Sequence, residues 1–199
     1  MVTASRYFRT DKVAKWWKPT SVTQEIRKWI LSNNSWNKKT VLELGCGNCE
    51  MLDLLKCRGA EAIGLDICRA MLIGNKRGAR VLSDVHFLPF QPDSFDAVVC
   101  IEAFKHFDRQ RNVLKEIARL LRLNGKLFVQ DDELGPGYIL KMLPFYIANI
   151  LRYGSKLEHN NTSDSLRRLL TESSITPLKL EYFDNHKKFC IKGEKQKLW

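Results

Sequence analysis

The sequence is short of several things, and each shortage excludes a class of protein. No apolar run approaches the ~20 residues needed to cross a bilayer as a helix; the longest, 138–151, is interrupted by Lys141 and Pro144. The first forty residues hold no apolar core ahead of a small-residue cleavage site, and are instead basic, with four of the five tryptophans. The expectation is a cytoplasmic chain without integral membrane association. Six cysteines in 199 residues are scattered through apparent strands and helices, unlike the dense cysteines of a disulfide-stapled domain. Cys46 and Cys49 form one CxxC, but no second pair and no histidine pair follows at zinc spacing, so no metal is assigned. Eleven glycines and six prolines fall into no repeat.

What is there is ordinary globular material. Apolar residues make up 44% of the chain and charged residues 28%, enough for one buried core and too short for two ordinary domains. We therefore read 1–199 as a single domain, with an N-terminal segment (1–35), a core (36–132) and a C-terminal part (133–199). The formal charge is +11, distributed as +7 over 1–40, −1 over 41–135 and +5 over 136–199. Basic ends flanking a neutral middle fit either a solvated lysine surface or an acidic partner such as RNA.

From residue 40, short β-branched or apolar runs alternate with helical patterns, the signature of βαβ units and a mostly parallel sheet. Strands are expected at 40–44, 61–66, 80–83, from 95 through Ile101, and at 126–130. Helices are expected after Gly47, at 69–76 and at 109–121, the last ended by Asn124-Gly125. A helix near 165–172 follows, with Ser163 or Thr162 as N-cap. Two extended runs at 177–182 and 187–192, around Asp184-Asn185, read as a hairpin.

The chemistry gathers at Val41-Leu42-Glu43-Leu44-Gly45-Cys46-Gly47, a buried strand that delivers an acid and a GxG turn at its carboxyl end. Ligands of open α/β sheets bind there. A dinucleotide fingerprint needs a third small residue three positions after Gly47, but Glu50 stands there, and a pyrophosphate would meet an extra carboxylate. S-adenosylmethionine has no phosphate; it carries a sulfonium and an ammonium, which an acid such as Glu43 suits. Asp66 ends the second strand, placed to accept both ribose hydroxyls. Asp84 ends the third, placed for an adenine amino group, with the Val85 amide beside it.

These residues resemble the class I S-adenosylmethionine-dependent methyltransferases, in their compact single-domain branch. VLELGCG is similar to the family's first motif. GLDICRAML (64–72) is similar to its second, SDVHFLPFQPDSFDAVVCIEAFKHF (83–107) to its adenine and fourth-strand region, and EIARLLRLNGKLFV (116–129) to the helix-turn-strand that follows. The sequence departs where Lys105 precedes His106 and where Leu123-Asn124-Gly125 replaces Pro-Gly-Gly. The resemblance implies a Rossmann-like, seven-stranded, mostly parallel sheet in the order 3-2-1-4-5-7-6, with helices on both faces and the C-terminal hairpin supplying the reversed strand. It implies cofactor contacts from Glu43, Gly45, Cys46, Gly47, Asn48, Asp66, Ile67, Met71, Asp84, Val85 and Ile101. The segment from Tyr7-Phe8 through Trp16-Trp17 resembles an aromatic lid, with Trp17 over the cofactor.

Methyl transfer needs alignment more than covalent chemistry, and a base only for a poorly ionised nucleophile. Candidates for the acceptor side are Glu102, His106, Asp131 and Asp132. Three functions stay open. A small, lipophilic acceptor fits the apolar 138–151 insert, and is the leading expectation. An RNA acceptor fits the basic ends, with Trp16, Trp17, Trp29 and Trp36 as stacking platforms. A binding or activating subunit would keep the fold and bind no cofactor.

Overall fold

The computed structural model describes residues 20–73, 78–133, 147 and 162–197. The expected aromatic lid with Trp17, nearly all of the 138–151 insert and Gly135-Pro136-Gly137 lie outside them. Chain order runs α1 (Ser21–Ser32), β1 (Thr40–Leu44), α2 (Glu50–Cys57), β2 (Glu61–Asp66), α3 (Arg69–Ile73), β3 (Ala79–Leu82), β4 (Phe95–Ile101) and a 3-10 turn (Phe104–His106). It continues through α4 (Gln110–Leu120), β5 (Leu121–Asp132), α5 (Ser163–Glu172), β6 (Ile175–Phe183) and β7 (Lys188–Lys195). One seven-stranded sheet results, ordered β3-β2-β1-β4-β5-β7-β6. The first five strands pair in parallel, and β7 runs antiparallel to both β5 and β6. The expected order and hairpin are both present.

Alternation along the strands builds two cores. Leu42, Leu44, Val98, Cys100, Leu127 and Val129 face one side, where Val113, Leu114 and Ile117 of α4 and Leu166 and Leu170 of α5 cover them. Val41, Ala97, Val99 and Phe128 face the other side, covered by Ile26 and Ile30 of α1 and Leu52 and Leu55 of α2. Each fully buried Leu, Ile or Phe contributes about 1.5–3 kcal/mol relative to exposure. Helices on both faces leave the strand ends as the place where loops can meet. Thr20 and Thr162 cap α1 and α5 through reciprocal capping boxes with Thr23 and Ser165, so Thr162 rather than Ser163 is the cap of α5.

Two expectations are corrected. β5 begins at Leu121, directly after α4, because Leu121 already pairs with Phe95 before the register shifts; Asn124, at φ 62°, lies within the strand rather than ending a helix. Trp36 is a core residue and Trp29, half-buried, packs against the same core. The Trp36 ring lies 5.5 Å from Phe128, with its Nε1 donating to the Leu31 carbonyl at 3.0 Å, and Trp29 sits edge-on to Phe128 and Phe183. The Lys179 ammonium lies 5.3 Å from the Trp29 ring centroid. Among the described residues, no helix is long and apolar enough to cross a membrane.

Candidate active site

The order β3-β2-β1-β4 places the carboxyl ends of β1, β2 and β4 around one switch point, where a crevice must open. A cleft lies there, and the GxG turn forms its floor. Gly45 and Gly47 both have positive φ (66° and 50°), and the Gly45 and Cys46 amides donate to the Leu65 carbonyl at 2.8 and 3.0 Å, locking the turn to β2. A Cβ on Gly45 would stand 2.4 Å from that of Ala103, so the turn packs against the β4 loop only as glycine.

Glu43, 4% exposed on β1, faces this cleft. Burial pushes its carboxyl well above the usual range and Cys49 adds to the shift, against the opposing pull of Arg27 and the Leu52 amide. Its Oε2 has no hydrogen-bond partner among the described residues. Asp66, at the end of β2, accepts from the Gly47 and Cys68 amides at 2.8 Å each. Burial nevertheless raises its carboxyl too. Asp84 accepts at Oδ1 from the His86 amide (3.0 Å) and meets the His86 ring at 2.6 Å, while the other ring nitrogen meets the Asp108 carbonyl at 2.6 Å.

Of the residues expected at the cofactor, Cys46, Ile67, Met71, Val85 and Ile101 line the cleft together with the three acids and the two glycines. Asn48 does not; its side chain donates to Glu50 at 2.6 Å. Arg27 was not expected. It reaches in from α1, 3% exposed, and pairs with Glu50. Its place on the buried stripe with Thr23, Ile26 and Ile30 was the available signal, since an arginine on an apolar helix face requires a partner. This pairing also corrects the reading of Glu50: its charge is balanced by Arg27 and does not by itself repel a pyrophosphate. His86, Phe107 and Asp108 are further unexpected wall residues.

Of the residues expected to face an acceptor, Glu102 and His106 line the cleft and Asp131 does not. Glu102 takes a left-handed φ of 53°. Lys188, from the antiparallel β7, bonds both Glu102 and Asp132 at 2.7 Å, and Lys105 pairs with Asp132 and lies 3.7 Å from Asp131. Burial opposes ionisation of Asp132, yet Lys105 and Lys188 together hold it below the usual carboxylate range. The cluster presents Glu102 at the cleft on a fixed, charge-compensated base.

Asp131 is wholly buried, and burial, only partly offset by Lys105 and His106, raises its carboxyl from 3.8 to about 6. The folded state therefore binds this proton more tightly than the unfolded chain does, so stability falls as pH rises from about 4 to about 6 and the penalty persists above. Asp131→Asn keeps an acceptor for the Asp132 amide, 3.1 Å away. In urea unfolding the variant is expected to be more stable than the parent near pH 7, by at most about 3 kcal/mol, with the gain vanishing toward pH 4. A less stable variant at neutral pH contradicts this assignment.

Residues 42–129 match the family model described as a methyltransferase domain. A ubiquinone biosynthesis O-methyltransferase from Dechloromonas aromatica is 28% identical over 65% of this chain and 67% of its own length. A demethylmenaquinone methyltransferase from Thermotoga maritima is 32% identical over 64% of this chain. This chain spans 57% of the Thermotoga protein, less than two thirds of its length. Among solved structures, an S-adenosylmethionine dependent methyltransferase from Mesorhizobium loti superposes with a TM-score of 0.71 at 15% identity, covering 88% of this chain and 99% of that one; this likeness concerns the fold.

Proposed function

We propose that this chain, whose core is a class I S-adenosylmethionine-dependent methyltransferase domain, transfers the methyl group to a small, lipophilic acceptor held beside Glu102 and His106. The observation that carries the cofactor assignment is Glu43: a buried carboxyl at the glycine turn, with one oxygen unpartnered among the described residues, fits a phosphate-free ligand whose positive charge draws off its proton. When bound, S-adenosylmethionine supplies a methyl carbon made electrophilic by its sulfonium, with a neutral thioether as leaving group.

The protein's own part is binding, alignment and exclusion of water. Glu43 balances the ligand's cationic end. Asp66 keeps its remaining lone pairs for the two ribose hydroxyls, already oriented by the Gly47 and Cys68 amides. Asp84, braced by His86, and the Val85 amide address the adenine edge, and Ile67, Met71 and Ile101 supply apolar walls. Glu102 and His106 face the acceptor, His106 placed to take a proton from a hydroxyl nucleophile. Asn48 and Asp131 are left out of direct contact.

Two observations favour a small acceptor over RNA. Around Glu102 and His106 the cleft is also lined by the apolar Ala103 and Phe107, the kind of lining a small organic molecule requires. Of the two described tryptophans of the N-terminal region, Trp36 is buried and Trp29 packs half-buried against the same core, and several lysines of the basic C-terminal part are engaged: Lys192 with the Asn33 carbonyl, Lys195 with Asp93, Lys188 in the cluster above. The names of the relatives point the same way, since both concern quinone compounds. The test is transfer of a labelled methyl group, with quinol or catechol acceptors and bulk tRNA offered in parallel. Label is expected in the organic extract; label confined to the RNA, in amounts falling steeply with salt, contradicts the reading.

A further inference from the structure

The glycine turn carries two thiols for which the proposed function has no chemical use. Cys46 and Cys49 bracket it, their Sγ atoms 3.5 Å apart. The Cys49 amide donates to the Cys46 carbonyl at 2.8 Å, closing a turn of the kind that keeps its end Cα atoms within about 7 Å. That overlaps the separation of about 4.4–6.8 Å that a disulfide spans, and the sulfurs need approach by only about 1.5 Å to reach a bond of about 2.0 Å. Gly64 of β2 makes room for the pair: a Cβ there would stand 2.8 Å from Cys46 Sγ. The protein surface covers both residues, but Cys46 lines the cleft. A small molecule therefore meets this residue from inside the ligand crevice, not from the outer surface.

We infer that Cys46 and Cys49 are an oxidisable dithiol, reached by small disulfides through the cleft, protected when the cofactor is seated, and weakening cofactor binding once joined. This rests on the proposed seating of S-adenosylmethionine in that cleft. The hydrogen bond between the sulfurs and burial push the Cys46 thiol up, and the same bond lowers Cys49. In the first step Cys46 therefore passes its proton to the Cys49 thiolate 3.5 Å away as its sulfur attacks one sulfur of the external disulfide, whose S–S bond breaks and whose leaving sulfur takes a proton as one small thiol. Cys49, again as the thiolate, then attacks Cys46 Sγ of the mixed disulfide and expels the second small thiol. Two protein thiols lose two electrons and two protons, and the external disulfide gains both as two thiols. The consequence for binding follows from the turn. Cys49 occupies a left-handed conformation (φ 64°) as the N-cap of α2, and Gly47, between the two cysteines, gives its amide to Asp66. Drawing the sulfurs together pulls this turn against the carboxylate assigned to the ribose.

The experiment uses the full chain in a Cys57→Ser background, because Cys57 is exposed and would react on its own. The reduced protein is treated with bis(2-hydroxyethyl) disulfide, with and without saturating S-adenosylhomocysteine, then alkylated and cut with trypsin. Both cysteines fall in the peptide 40–56, between Lys39 and Lys56. The expected product is this peptide two hydrogens lighter and unalkylated, absent when S-adenosylhomocysteine is present. A Cys49→Ser variant is expected to stop at the mixed disulfide on Cys46. Calorimetric titration should show at least a tenfold loss of S-adenosylhomocysteine affinity after oxidation, recovered with dithiothreitol. Unoxidised peptide, a link to another residue such as Cys68, or unchanged affinity of the linked protein each overturns the inference. Reduced protein that binds no S-adenosylhomocysteine overturns the proposed function and the coupling, while the peptide still decides whether the dithiol exists.

Discussion

Asp66→Ala is expected to bind S-adenosylhomocysteine at least roughly a hundredfold more weakly than the parent chain in calorimetric titration. Two hydrogen bonds to one ionised group contribute about 1.5–3 kcal/mol each, and about 1.4 kcal/mol corresponds to a tenfold change in affinity. Asp66 also fixes the floor of the cleft through the Gly47 and Cys68 amides, so part of the loss comes from a loosened turn. Asp66→Asn separates the two contributions. It keeps an acceptor oxygen for one amide but loses the charge and the paired geometry, so its affinity should fall with little change in melting temperature. Affinity unchanged in both variants removes the ribose assignment.

Gly45→Ala is expected to lose stability and ligand binding together. The added methyl meets the Cβ of Ala103 at 2.4 Å, where no flexible side-chain end can swing aside. Overpacking of this kind costs about 1–3 kcal/mol, and the left-handed φ of 66° adds about 1–2 kcal/mol for a residue with a Cβ. For a chain of this size, each kcal/mol lowers the melting temperature by about 2–4 °C, so a drop of roughly 4–20 °C is expected by scanning calorimetry. A melt within a degree of the parent would show that the turn does not pack on the β4 loop as described.

The legible part of the fold was written in local periodicity. Buried runs such as Val41-Leu42-Glu43-Leu44 and the one ending at Ile101 announce central parallel strands, and the amphipathic stripe of α4 announces a crossover helix. What escaped depends on contacts between distant segments. Leu121 reads as the end of a helix until Phe95 is beside it. Trp29 and Trp36 read as stacking platforms at a basic end until Phe128 arrives from another strand. The acids at the carboxyl ends of β1, β2 and β3 were visible because strand ends and glycine turns carry local signals. Arg27 and Lys188 were not, because each reaches its partner across a long stretch of chain: 23 residues from Arg27 to Glu50 and 86 from Lys188 to Glu102. Asp131 looked like an acceptor-side acid at the end of the fifth strand. Its position against Lys105, behind the cleft wall, is set by the pairing of β5 with β7.

The most direct measurement is a crystal structure of the chain grown with S-adenosylhomocysteine. The account predicts the ligand across the carboxyl ends of β1, β2 and β4, its ribose hydroxyls on Asp66 and its ammonium facing Glu43. A ligand bound elsewhere, or a cleft filled by the protein's own side chains, contradicts it.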